Sequence, residues 1–189
     1  MDPLMERYAL LKEKVIERKA SFSLLISFLE KETDWLKSPA STRFHLSKEQ
    51  GLLEHSCNVA ETMLRLKDTL APHITDEICV IVALLHDLGK VGMPGNPQYL
   101  KGGKYPYTFN KELTYLSVPI RSLYLALPYI ELSEAEAQAI VYHDGQYVAD
   151  NASVACKEEP LTLLLQYADT WSGFVLEREK VQVKKAGMI

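Results

Sequence analysis

Apolar residues recur along most of this chain at intervals of three and four, a spacing that predicts helices rather than strands. Leu4, Tyr8, Leu11 and Val15 form the first stripe, opened by Asp2 as N-cap and Pro3 in the first turn. A second helix is expected over about 21–31, followed by a linker over 37–45 that contains Ser38-Pro39 and Ser41. Ser47 and Gln50 have capping-box spacing, so a helix is expected over about 48–70 with Leu52, His55, Val59, Met63 and Leu66 on one face. Thr75 caps a helix over about 76–88, and Gly89 is expected to close it in the left-handed conformation. Residues 91–111 lack helical period and are rich in Gly, Pro and Tyr, which marks a long loop of the kind that is usually functional or disordered. Three more helices are expected. One covers about 112–128, kinked at Pro119. One runs from the capping box Ser133/Glu136 to His143, before Gly145. The last runs from Glu159-Pro160 to about 179. Few segments alternate with strand period, so the expected fold class is all-α.

Composition narrows the picture without changing it. The chain has 189 residues, 47% of them hydrophobic and 24% charged, as in an ordinary globular protein. The longest apolar stretch, Ile78 to Leu85, is far below the roughly 18 residues a membrane span needs. The first residues, MDPLMERYALLKEK, carry charge throughout and no signal-peptide core. Cys57, Cys79 and Cys156 are scattered, with no CxxC pair, so a cytoplasmic setting is expected rather than a disulfide framework. The net charge of −4 argues against a partner bound by bulk attraction to long nucleic acid. It leaves room for a small phosphorylated substrate held by local cations. The basic KVQVKK near the C-terminus reads as a solvated tail.

The informative positions are polar residues that interrupt apolar faces. His55 sits among Leu52, Val59 and Met63, where it is either a hydrogen-bonded core histidine or a ligand. His86-Asp87 ends the apolar run ALL. Neighbours in mid-helix point about 100° apart, but at the last turn both can lean to one point; the alternative is a dipole-favoured histidine beside an exposed aspartate. Asp169, in LTLLLQYADTW, shares a face with Leu161, Leu165 and Ser172. A buried carboxylate needs a cation, and no basic residue lies between Pro160 and Glu177. A metal ion or an arginine from the 37–45 linker would serve. Two imidazoles and two carboxylates make a mixed N/O set that suits Mn, Fe, Co, Ni or Zn without distinguishing among them, and they leave coordination positions open.

The order His, then His-Asp, then Asp, carried by GLLEHSCNVA, ALLHDLGK and LLLQYADTW, resembles the HD superfamily of metal-dependent phosphohydrolases over about residues 42–174. TRFH (42–45) and AIVYHDGQY (139–147) are similar to segments of bacterial and phage members. The resemblance implies a compact helical bundle, with residues 1–40 a helical extension, 41–180 the HD domain and 181–189 a tail. It implies that His55, His86, Asp87 and Asp169 bind a divalent metal that activates water and polarises a phosphoryl oxygen, with Asp87 touching both metal and water. Members with two metals use extra histidines between the HD pair and the last Asp. Here only His143 is present, and ELTYLSVPIRSLY lacks the Gly-His that some relatives carry, so one ion is expected rather than two.

Arg43 and Lys90 are candidates for phosphate contact, and their alternatives are a surface salt bridge and a solvent-facing lysine. His45 is a further substrate-binding candidate. Lys101 and Lys104 share the long loop with Tyr99, Tyr105 and Tyr107, a combination able to grip a nucleotide by charge and stacking; anchoring of the loop by the tyrosines is the plainer reading. His143 and Asp144 are candidates for acid–base work or for a helix C-cap. The expected activity is hydrolysis of a phosphate ester or anhydride, of a nucleotide or short oligonucleotide. The alternatives are a non-catalytic HD module for nucleotide sensing or interaction and, more remotely, di-iron oxidation. The substrate's identity and the oligomeric state stay open, an oligomer included.

Overall fold

The computed structural model describes residues 2–178; the tail expected at 181–189 lies outside them. Among the described residues there are seven α-helices: α1 (Pro3–Glu13), α2 (Lys19–Glu32), α3 (Gly51–Leu70), α4 (Asp76–Leu85), α5 (Val118–Ala126), α6 (Glu134–Tyr142) and α7 (Pro160–Trp171). A two-stranded antiparallel hairpin, β1 (Tyr99–Lys101) and β2 (Tyr107–Phe109), is the only sheet described. The expected all-α class therefore holds, with a small hairpin set inside the long loop. That hairpin is too short for a strand period to be legible in the sequence.

Helix α4 is apolar on all sides, and Cys79 to Leu85 are all buried. Such a helix belongs at the centre of a fold. It packs against α3 and touches α5, α6 and α7. Tyr8, Leu11, Phe22, Leu25, Leu29 and Trp35 of the first 40 residues join the same core cluster as α3, α4 and α7. The buried Trp35 indole donates to the Tyr8 hydroxyl at 3.0 Å, so burial leaves no polar atom of that pair unmatched.

Several helix ends follow the sequence. Asp2 accepts from the Leu4 amide, Thr75 accepts from the Ile78 amide, and Ser133 and Glu136 form a complete capping box. Others do not. The Ser47/Gln50 box is absent: α3 starts at Gly51, and Gln50 adopts a left-handed conformation with φ 63° and makes no side-chain cap. The linker serves this terminus instead, with the Lys37 and Ser38 carbonyls accepting from the Gln50 and Leu52 amides. Pro119 does not kink a helix. It lies in the first turn of α5, where its missing N–H costs nothing. Gly89 is not left-handed; the chain passes through it in a 3₁₀ turn, Leu88–Val91. The last helix ends at Trp171 and continues as a single π turn, Ser172–Leu176.

One electrostatic clip joins α1, α2, α4 and α6. The Glu77 carboxylate accepts from the amides of Ile16, Glu17 and Arg18 and from the Arg18 guanidinium, which also grips Glu136. Burial raises the Glu77 pKa, but these donors outweigh it and hold the carboxyl below its usual 4.5. A depressed carboxylate contributes stability above its unfolded pKa and loses it as pH falls through the folded value. Melting temperature is therefore expected to fall more steeply below pH 4.5 in the wild type than in Glu77→Gln. Parallel acid profiles would contradict the clip.

Candidate metal centre

Four elements deliver side chains to one point. His55 comes from the buried face of α3, His86 and Asp87 from the end of α4, Asp169 from α7 and His143 from the end of α6. His86 and His143 are both C-cap residues. After His86 the backbone leaves the α-helix, with Asp87 at φ −104°, ψ 8°. That change of path turns two adjacent side chains towards the same space, which a continuing helix would not do.

The donors are close. His55 Nε2 lies 3.0 Å from Asp169 Oδ1, 3.3 Å from His86 Nε2 and 3.6 Å from Asp87 Oδ2. His86 Nε2 lies 3.5 Å from Asp87 Oδ2 and 3.9 Å from Asp169 Oδ1. His143 Nε2 lies 3.7 Å from Asp87 Oδ1 and 3.8 Å from Asp144 Oδ1. The three inner imidazoles and Asp87 are buried.

The outer ring nitrogens fix what the inner ones offer. His86 Nδ1 donates to the Ala83 carbonyl at 2.7 Å and His143 Nδ1 to the Ile140 carbonyl at 2.8 Å. A carbonyl only accepts, so Nδ1 carries the hydrogen in both rings. His55 Nδ1 faces the Glu177 carboxylate at 3.0 Å, and Asn58 also donates to Glu177. Each Nε2 is thereby aimed inward, the arrangement that orients histidine ligands. Two Nε2 atoms at 3.3 Å repel unless a cation lies between or beside them. In the bare chain that cation is a proton: burial lowers the His55 pKa, but the Asp169 and Glu177 carboxylates outweigh it and raise it to about 10. Burial holds His86 neutral, at about 4. Burial would raise Asp87, yet Lys90 and the neighbouring imidazoles keep it well below the carboxylate range. This donor set fits a divalent cation in place of the proton. The groups His55/His86/Asp169 and His86/Asp87/His143 each bring three ligand atoms within metal-binding reach.

The other sequence candidates lie at varying distances from this point. Lys90 is paired with Asp87 and is largely buried, rather than facing solvent. His45 lies beside His55, with ring centroids 5.2 Å apart and the planes tilted by 42°, and its Nε2 is 3.8 Å from Glu177. Arg43 donates to the Tyr105 hydroxyl at 2.9 Å and lies over the Phe44 and Tyr105 rings. These residues, with Tyr99 and Tyr107, line a cleft of about 530 Å³ that includes Lys90 and His45. Lys104 sits on the exposed hairpin turn with its ammonium 5.6 Å from the Tyr105 ring centroid, outside that lining. Lys101 pairs with Glu49. Asp169 takes His55 as its partner, not a linker arginine.

Sequence reasoning missed Glu177. It lies two turns beyond Asp169, and the π turn swings it back over His55; a π turn leaves no mark in hydrophobic spacing. It also missed the brace behind the metal motif. The Ser122 hydroxyl accepts from the Gly89 amide at 2.8 Å and lies 3.0 Å from the His86 carbonyl.

No curated protein and no solved structure matches the chain. The model of the family described as HD domain matches residues 52–170, a span that contains His55, His86, Asp87, His143 and Asp169. With more than half of its length matched by that model, the chain belongs to the HD domain family.

Proposed function

We propose that this protein is a metal-dependent phosphohydrolase that cleaves a phosphate ester or anhydride of a nucleotide or short oligonucleotide. The HD domain is that of the metal-dependent phosphohydrolase superfamily, whose members bind divalent ions. The observation that carries the reading is the convergence of two Nε2 atoms and two carboxylates, with separations of 3.0–3.9 Å, on histidines whose Nδ1 atoms are committed elsewhere. A divalent cation bound there supplies a Lewis acid that acidifies water and polarises a phosphoryl oxygen.

The chain's own groups supply the rest. His55, His86, Asp87 and Asp169 hold one ion. Lys90 keeps Asp87 ionised and leaves its other oxygen free to orient the attacking water. His143, with its hydrogen fixed on Nδ1, presents Nε2 on the Asp87 side, where a proton taken up can pass to the leaving oxygen. Arg43 and His45 line the cleft that also includes Lys90, the partner of Asp87, where a phosphate is offered planar donors. Tyr105, Tyr99 and Phe44 offer faces on which a base can stack, with Lys104 at the outer edge of the hairpin. These aromatic and cationic walls favour a nucleotide over a simple phosphorylated metabolite.

A panel of nucleoside mono-, di- and triphosphates, cyclic nucleotides and short oligonucleotides, assayed with Mn, Co and Ni in turn, tests this. Phosphate or nucleotide release is expected for at least one class and absent in Asp87→Ala. Activity that survives in Asp87→Ala would sink the mechanism. Turnover confined to phosphorylated compounds without a base would sink the nucleotide assignment alone.

A further inference from the structure

We propose that the substrate is a phosphodiester with one arm in each of two cavities that flank the metal centre, and that the arm beside α5 is a terminal nucleoside carrying no further phosphate. This rests on the phosphohydrolase reading and narrows its substrate. The cavity beside α5 holds about 650 Å³, within the size range of small-molecule sites. Phe109 contributes to its wall and to that of the Arg43 cleft.

The two cavities reach the centre by different oxygens of Asp87. Oδ2 pairs with Lys90, which lines the Arg43 cleft. Oδ1 lies 3.7 Å from His143 Nε2, and that nitrogen lies 3.8 Å from Oδ1 of Asp144, which lines the cavity beside α5. The two ester oxygens of a phosphodiester diverge from phosphorus, so a phosphate held at the centre sends one arm each way. A monoester fills only one cavity.

Charge decides which arm goes where. Arg43 and Lys90 line the first cavity. Asp144 and Asp150, both exposed, line the second. Arg121 is also in the second wall, but it is only 2% exposed and donates to Gln98 Oε1 at 2.6 Å and the Thr114 carbonyl at 2.8 Å, so it offers a ligand no charge. A further phosphate there would face two carboxylates, a like-charge contact. The apolar side chains of Leu113, Leu116, Val118 and Val141 suit the face of a base, and the amino groups of a base can donate to a carboxylate. The phosphates of the remaining chain therefore stay on the Arg43 side. His143 stands beside the second arm, which makes that arm the leaving group. Water adds to phosphorus, and the bond from phosphorus to the ester oxygen of that arm breaks. The oxygen takes a proton from His143, which regains the one that the water gives up. The products are a nucleoside with a free hydroxyl and a chain ending in a phosphomonoester.

Initial rates of the Mn-loaded full chain with the adenosine dinucleotide ApA, its singly phosphorylated forms pApA and ApAp, and the two mononucleotides 5′-AMP and 3′-AMP test this. ApA is expected to exceed both mononucleotides in kcat/KM by at least about tenfold. One of pApA and ApAp should match ApA, and the other should be at least about tenfold worse, since its phosphate falls beside Asp144 and Asp150. Asp150→Asn is expected to shrink that ratio by at least about threefold; a change in folded fraction or metal content cancels from a ratio measured on one protein. Ile120→Trp fills the cavity from a side chain 52% exposed; it is expected to melt like the wild type and to lose at least about tenfold in kcat/KM for ApA. Mononucleotides used as well as ApA, equal use of pApA and ApAp, an unchanged ratio in Asp150→Asn or full ApA turnover in Ile120→Trp would overturn the proposal and leave the phosphohydrolase reading standing. No turnover of any phosphate compound with Mn, Co or Ni would overturn both.

Discussion

His55→Ala is expected to lose the bound ion and at least about three orders of magnitude of phosphohydrolase activity. Both ring nitrogens of His55 face carboxylates of the centre. Nε2 lies against Asp169 and His86, and Nδ1 against Glu177. Its removal takes from Asp169 and Glu177 the imidazole that lies 3.0 Å from each, which costs more than a missing ligand alone. Glu177→Gln is expected to act differently. The amide oxygen still accepts from Nδ1 but carries no charge, so metal affinity should fall by about 10–100-fold and excess metal should restore turnover. Loss of kcat in Glu177→Gln at saturating metal would mean that Glu177 does more than orient His55.

Gly89→Ala is expected to destabilise the fold by about 3 kcal/mol or more, read as a drop in urea midpoint. A Cβ built on Gly89 would meet the Val118 carbonyl oxygen at 2.1 Å and the Arg121 Cβ at 3.0 Å. The first contact is to backbone and cannot be relieved by a rotamer change. Helix α5 would have to move away from the turn after Asp87, breaking the Gly89–Ser122 hydrogen bond. Gly95 is the control. It is left-handed at φ 69° with nothing within 4 Å, so Gly95→Ala should cost only about 1–2 kcal/mol of backbone strain. Equal effects of the two substitutions would show that α5 does not pack on the turn as described.

These cases also mark what the sequence could and could not tell. The three motifs around His55, His86-Asp87 and Asp169 were legible because each puts a costly polar group on an apolar helix. Helix α6 was legible at both ends because Ser133, Glu136 and Gly145 act locally. The start of α3 was not, because the amides there are served by carbonyls thirteen and fourteen residues earlier in the chain, and no local pattern reports a tertiary partner. The position of Gly89 after an apolar helix predicts a left-handed stop, whereas its small size is required by the approach of α5, about thirty residues later. Glu177 and Arg121 escaped for the same reason. Their partners, His55 for one and Gln98 and Thr114 for the other, come together only in the folded chain.

Metal titration of chelator-treated protein tests the central claim most directly. Manganese followed by calorimetry or by elemental analysis after dialysis should bind at one ion per chain, and binding should vanish in both Asp87→Ala and Asp169→Ala while both variants stay folded. No stoichiometric metal in the wild type, or one ion retained in both variants, would contradict a centre built by His55, His86, Asp87 and Asp169.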